Sequence, residues 1–79
     1  MYIVFYDYER GHIMKNKRMK IARMEADMKQ SDLAEAVGVT RQTTGLIESG
    51  EYNPTLNLCI AICEALGKTL NDLFWEESK

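Results

Sequence analysis

Gln30-Ser31-Asp32-Leu33-Ala34-Glu35-Ala36-Val37-Gly38-Val39-Thr40-Arg41-Gln42-Thr43-Thr44-Gly45-Leu46-Ile47-Glu48 is the stretch whose reading decides the fold. Leu33, Ala34 and Val37 recur at i, i+1 and i+4, one buried face of a helix running from about Gln30 or Ser31 to Val37. Gly38 ends it and permits a sharp turn, Val39 plugs that turn, and Thr40 is a good N-cap for the next helix. This second helix is expected from Thr40 or Arg41 to Ser49, with Ile47 inward, Thr44 three residues before it on the same side, and Gly50 as the stop. Ala34 must be small because the two helices cross close to it.

Outward from this pair, three more helices are expected. One precedes it, from about Asn16 to Ala26, with Met19, Ala22 and Met24 as its apolar stripe, Asp27 as a left-handed terminator and Met28 dropping into the core. After the loop Glu51-Tyr52-Asn53-Pro54, an N-cap at Thr55 opens a helix to Leu66 that ends at Gly67. Its inward face is Leu56, Cys59, Ile62, Cys63 and Leu66, while Leu58 and Ile60 to the sides leave it unusually apolar all round. A short last helix is capped by Thr69 and packs Leu70, Leu73 and Phe74, with Trp75 closing the apolar run.

Ahead of the helices, Tyr2 to Tyr8 is aromatic and β-branched and is expected to form a strand. A lone strand leaves its edges unsatisfied. Antiparallel pairing with the same strand of a second copy, through Tyr2, Ile3, Val4, Phe5 and Tyr6, would satisfy them. The alternative is a strand lying on its own domain. The reading is therefore an all-α, five-helix unit over residues 14–75, a strand or arm over 1–13 and a polar tail over 76–79.

With 79 residues the chain is one domain, and a chain this short buries only about 60% of its unfolded surface, so an oligomer would help it. Hydrophobic residues make up 46%, which excludes a disordered tail. No run approaches the roughly 20 apolar residues of a membrane span, and the start lacks the basic flank of a signal peptide, so the expected place is the cytoplasm. Cys59 and Cys63, four apart, read first as small core fillers and second as a metal or redox pair. No paired-carboxylate, Ser/His/Asp or Gly-rich phosphate pattern points to an enzyme, and nothing calls for a cofactor.

The net charge of −2 hides an asymmetry. Lys15, Lys17, Arg18, Lys20, Arg23 and Lys29 face only Glu25 and Asp27 within the same stretch, a local +4 against −6 elsewhere. Such a patch can meet phosphates, or it can be a solvated helix face.

From Met14 to about Trp75 the chain resembles the Cro-type, or XRE-type, helix-turn-helix family of bacterial and phage regulators. The resemblance is carried by residues 30–43, by Ile47-Glu48-Ser49-Gly50, by Tyr52-Asn53-Pro54-Thr55-Leu56 and by Ala65-Leu66-Gly67-Lys68-Thr69-Leu70-Asn71-Asp72-Leu73-Phe74. It implies a lambda-repressor-like fold, a double-stranded DNA operator as partner and a homodimer reading it. The helix from Thr40 would enter the major groove, with Arg41, Gln42, Thr43 and Leu46 reading bases. Gln30, Thr40, Tyr52 and Asn53 would contact the backbone, with Lys17, Arg18 and Lys29 as further phosphate candidates. Arg23 and Glu48 match a largely buried structural ion pair. An alternative role is a DNA-binding antitoxin or a subunit that holds a protein partner on the apolar sides of its fourth helix and the N-terminal strand. Three residues depart from the family: Thr44 where Ile or Val is usual, Gly45 inside the recognition helix, and Leu46 where a polar reader often stands.

Overall fold

The computed structural model describes residues 16–74 in full and, in the flanks, the backbone of residues 2–3, 6–7, 12–13 and 75–76. Five helices carry the fold: α1 (Lys17–Glu25), α2 (Gln30–Val37), α3 (Arg41–Ser49), α4 (Leu56–Leu66) and α5 (Leu70–Leu73).

Each helix begins and ends for a local reason. Asn16 caps α1, its Oδ1 accepting from the Met19 N–H at 3.0 Å. Asp27, at φ 61°, then turns the chain out of α1, and the Met28 N–H reaches back to the Arg23 carbonyl. Asp and Asn are the residues other than Gly that best tolerate this left-handed region. Thr40 and Thr55 cap α3 and α4 by accepting from the N–H three residues on. At α5 the arrangement is reciprocal. The Thr69 N–H donates to Asp72 Oδ2 at 3.0 Å and the Asp72 N–H donates to Thr69 Oγ1 at 3.2 Å. Hydrogen bonds from Thr69 hold the Asp72 carboxyl below its usual pKa.

The core draws on all five helices: Met19 and Ala22 of α1, Leu33 of α2, Ile47 of α3, Cys59, Ile62, Cys63 and Leu66 of α4, and Leu73 with Phe74 at α5. Met28, Val37, Leu58 and Leu70 pack around it, half-buried. Helix α2 lies against α3 and α4, while α1 lies against α3 and α5. Cys59 and Cys63 are buried free thiols, and burial pushes the Cys59 thiol up to about 11. At neutral pH both are protonated and poorly nucleophilic.

Three expectations about the apolar surface need correction. Met24 is 60% exposed, because the inward face of α1 is completed by Arg23 instead. Leu56 is exposed together with Thr55 and Asn57, because the first turn of α4 extends beyond the packed region. The single N-terminal strand extension over residues 2–8 is not supported. Tyr2–Ile3 (β1) pairs antiparallel with Trp75–Glu76 (β4), whereas Tyr6–Asp7 (β2) pairs with His12–Ile13 (β3). These are two separate two-residue ladders, and the chain's own C-terminal end already occupies one edge of β1. Val4, Phe5 and Tyr8 lie outside the described residues.

Thr44 is 1% exposed, and no described residue hydrogen-bonds its hydroxyl. The Thr40 carbonyl, one turn back, accepts from the Thr44 N–H at 3.2 Å. A buried hydroxyl without a partner costs free energy that an isosteric apolar side chain does not. Thr44→Val is therefore expected to stabilise the protein by about 1 kcal/mol. Chemical denaturation would read this as a higher midpoint at unchanged slope.

Candidate nucleic-acid interface

The turn between α2 and α3 is built from three contacts. Gly38 sits at φ 78°, ψ 32°, the left-handed region that a residue with a Cβ adopts only at a cost. The Val39 N–H then returns to the Ala34 carbonyl at 3.0 Å, and half-buried Val39 fills the angle. Thr40 Oγ1 accepts from the Thr43 N–H at 3.1 Å and lies 2.9 Å from Thr43 Oγ1, so the two hydroxyls are bonded to each other. Helix α3 therefore starts in a defined direction with few soft torsions ahead of it.

Along α3 the exposure pattern separates a buried face from an outward one. Thr44, Ile47 and Glu48 are buried. Arg41 and Gln42 are exposed, while Thr43, Gly45, Leu46 and Ser49 are half-buried. The side chains of Arg41 and Gln42 make no hydrogen bond among the described residues, so both guanidinium and carboxamide retain their full donor and acceptor sets. The Thr43 hydroxyl is hydrogen-bonded to that of Thr40.

Glu48 organises the rear of this surface. Its carboxylate receives Arg23 in a fork, Nε to Oε2 at 2.8 Å and Nη2 to Oε1 at 3.3 Å, with both side chains nearly buried. Arg23 Nη1 donates to the Met28 carbonyl at 2.7 Å, closing the α1–α2 turn onto the same centre. Gln30 Nε2 donates to Glu48 Oε1 at 3.2 Å. The Asn16 N–H donates to the Glu48 carbonyl at 3.0 Å, which ties the start of α1 to the end of α3. One residue of α3 thus holds α1, the α1–α2 turn and the first residue of α2.

After α3, the Leu46 carbonyl accepts from the N–H groups of Glu51 and Tyr52, at 2.8 and 3.2 Å, and buried Pro54 anchors the far side of the loop. Tyr52 and Asn53 are left exposed. Lys29 and Gln30 at the start of α2, Arg41 to Thr43 at the start of α3, and Lys17 at the start of α1 are brought into one assembly through these ties. Arg18 is not. Its Nη1 donates to the Asn71 carbonyl of α5 at 3.2 Å.

This changes the electrostatics expected of residues 15–29. Arg23 is neutralised inside the fold by Glu48, and Arg18 turns to α5. Lys15 lies outside the described residues, so Lys17, Lys20 and Lys29 are the described cations of that stretch whose side chains are exposed and bonded to no other described element. The Gln30–Glu48 bond escaped the sequence because it depends on how closely α2 crosses α3. Gly45, with no side chain over that crossing, was the signal that could have suggested it.

Among the described residues no helix is long and apolar enough to cross a membrane. A helix-turn-helix family model matches residues 19–73. The chain is 46% identical over 66 residues to an HTH-type transcriptional regulator of Bacillus subtilis (strain 168), YgzD, covering 84% of this chain and 98% of that protein. An HTH-type transcriptional regulator of Methanocaldococcus jannaschii is 43% identical over 61 residues, 77% of this chain and 91% of the relative. Among solved structures, the restriction-modification controller protein C.AhdI from Aeromonas hydrophila superposes with a TM-score of 0.68 at 25% identity, covering 71% of this chain and 85% of its own. The transcriptional regulator VanUg gives 0.64 at 28% identity, covering 82% and 85%. With a family model over most of its length, and relatives that match nearly end to end, the chain belongs to the helix-turn-helix family, of the Cro-type (XRE-type) that its motif resembles.

Proposed function

We propose that this protein is a cytoplasmic transcriptional regulator that binds double-stranded DNA sequence-specifically and acts as a repressor. The observation that carries the reading is the start of α3, where Arg41 and Gln42 project, exposed and bonded to no described side chain, from a helix held at its rear by the buried Arg23–Glu48 pair. A major groove admits one helix. Arg41 would take guanine through O6 and N7, and Gln42 would take adenine through N6 and N7. The Thr43 methyl and Leu46 suit thymine methyl groups. Lys17, Lys29, Thr40, Tyr52 and Asn53 would meet phosphates, which set position and register rather than sequence.

Two copies reading half-sites about 34 Å apart would form the working unit. The first 13 residues are our proposed contribution to that dimer, through Tyr2, Ile3, Val4, Phe5 and Tyr6. Among the described residues the ladder of β1 and β4 has two strands, and a second copy pairing on its edges would extend it. Deleting residues 1–13 is expected to weaken self-association in sedimentation. An equally tight dimer without them would move the interface to α4, where Leu56 and Ile60 are exposed. Those same two residues favour the second reading, an antitoxin-like protein that holds a protein partner on α4. The deciding experiment is selection of duplexes from a random-sequence pool by the purified protein. Enrichment of a two-fold symmetric motif supports the proposal, and recovery of an unenriched pool overturns it.

A further inference from the structure

Gln30 has an unusual neighbour. A Cβ built on Gly45 would lie 3.6 Å from both Nε2 and Oε1 of Gln30, in ordinary van der Waals contact. The carboxamide therefore lies over the one position of the recognition helix that has no side chain. Its orientation is not arbitrary. Glu48 is ionised in its fork with Arg23 and can only accept, so the amide nitrogen of Gln30 must be the atom that faces it. Of the amide's four hydrogen-bonding positions, one N–H is spent on a carboxylate. The oxygen makes no hydrogen bond among the described residues.

This polarisation has a direction. An amide that donates to an anion becomes a better acceptor at its oxygen and a poorer donor at its second N–H. A phosphate accepts only, so it is the weaker match. The edges of adenine N6 and cytosine N4 donate, and they are the better match. The side chain is also held in advance by its bond to Glu48, which lowers the rotamer entropy lost on binding.

We propose that Gln30 is a specificity-determining residue that stands in for the side chain missing at Gly45, with Oε1 accepting from an exocyclic amino group of a base in the major groove. This deepens the DNA-binding reading and rests on it. Helix α2 then contributes to sequence readout alongside Arg41 and Gln42, instead of serving the phosphate backbone alone.

The test compares the wild-type protein with Gln30→Ala and Gln30→Met on two probes. One is the duplex that the wild-type protein selects from a random pool, and the other is the unselected pool. Methionine keeps bulk over Gly45 but has no comparable acceptor, so it separates packing from readout. Both variants are expected to lose about tenfold in affinity for the selected duplex while holding the pool as the wild type does, with an unchanged salt dependence. Reselection with either variant should return the same motif with one base pair degenerate. A loss that is equal on both probes would make Gln30 a phosphate contact and overturn the inference. So would unchanged binding by both variants, or recovery by methionine. A wild-type protein that does not distinguish the two probes would instead count against the DNA-reading assignment itself.

Discussion

Glu48→Ala is expected to remove about 3–5 kcal/mol of stability, most of what a domain of this size possesses. The cost does not come from the attraction lost. A buried ion pair is close to neutral against well-packed apolar residues, because desolvating two charges offsets their mutual gain. The cost comes from what remains. Arg23 is 9% exposed, and without Glu48 its guanidinium keeps one described partner, the Met28 carbonyl. Gln30 and Arg23 would lose the acceptor they share. Equilibrium urea unfolding reads the loss. The companion double replacement, Arg23→Met with Glu48→Leu, leaves no stranded charge and is expected to recover most of the stability. It would not recover the orientation of Gln30. A Glu48→Ala protein as stable as the wild type would show that the pair contributes nothing structural.

Arg41→Ala is expected to do the opposite: to leave the fold unchanged and cut the preference for specific over random DNA by about tenfold or more. Arg41 is exposed and bonded to no described residue, so truncating it breaks no internal contact. A bidentate contact to guanine is worth about 1–3 kcal/mol of discrimination. Here that share is large because the rest of the reading surface is sparse in polar groups. Thr43 spends its hydroxyl on Thr40, Gly45 has no side chain and Leu46 is apolar. A mobility assay with the selected duplex and the random pool measures the change. Retained discrimination would move base readout away from the start of α3, while a change in circular dichroism would show that the variant had not left the fold intact.

The two variants probe different classes of information. Helix positions and caps are local matters, set by spacing within a few residues. Asn16, Thr40, Thr55 and Thr69 each cap by reaching an N–H three residues ahead, and Gly38, Gly50 and Gly67 each sit at positive φ just past a helix. Such features are legible because cause and effect lie on the same short segment. The expectation for Met24 failed for a related reason. Periodicity ranks residues by polarity, so it could not anticipate that an arginine, neutralised by a glutamate 25 positions away, would take the inward place.

The terminal segments were the least legible. Tyr2 to Tyr8 has strand-forming composition, but composition does not say which partner supplies the hydrogen bonds. Only the tertiary structure placed Tyr2 opposite Glu76 and Ile3 opposite Trp75, at opposite ends of the chain. Strand pairing is non-local by nature, and a two-residue ladder leaves almost no pattern to read.

By itself, then, the amino-acid sequence determined the five helices, their caps, the turn through Gly38 and the exposed start of α3 with Arg41 and Gln42. Those follow from periodicity and from side chains that bond to their own neighbours. The tertiary structure decided which charges remain available to a partner: it formed the buried Arg23–Glu48 pair that the family resemblance implied, and it sent Arg18 across to Asn71. It also decided that Gln30 lies over Gly45 with its nitrogen turned to Glu48. The physical reason is the same in each case. A side chain's bonding partners depend on which helices cross and how closely, and that distance is set by the packing of the whole core.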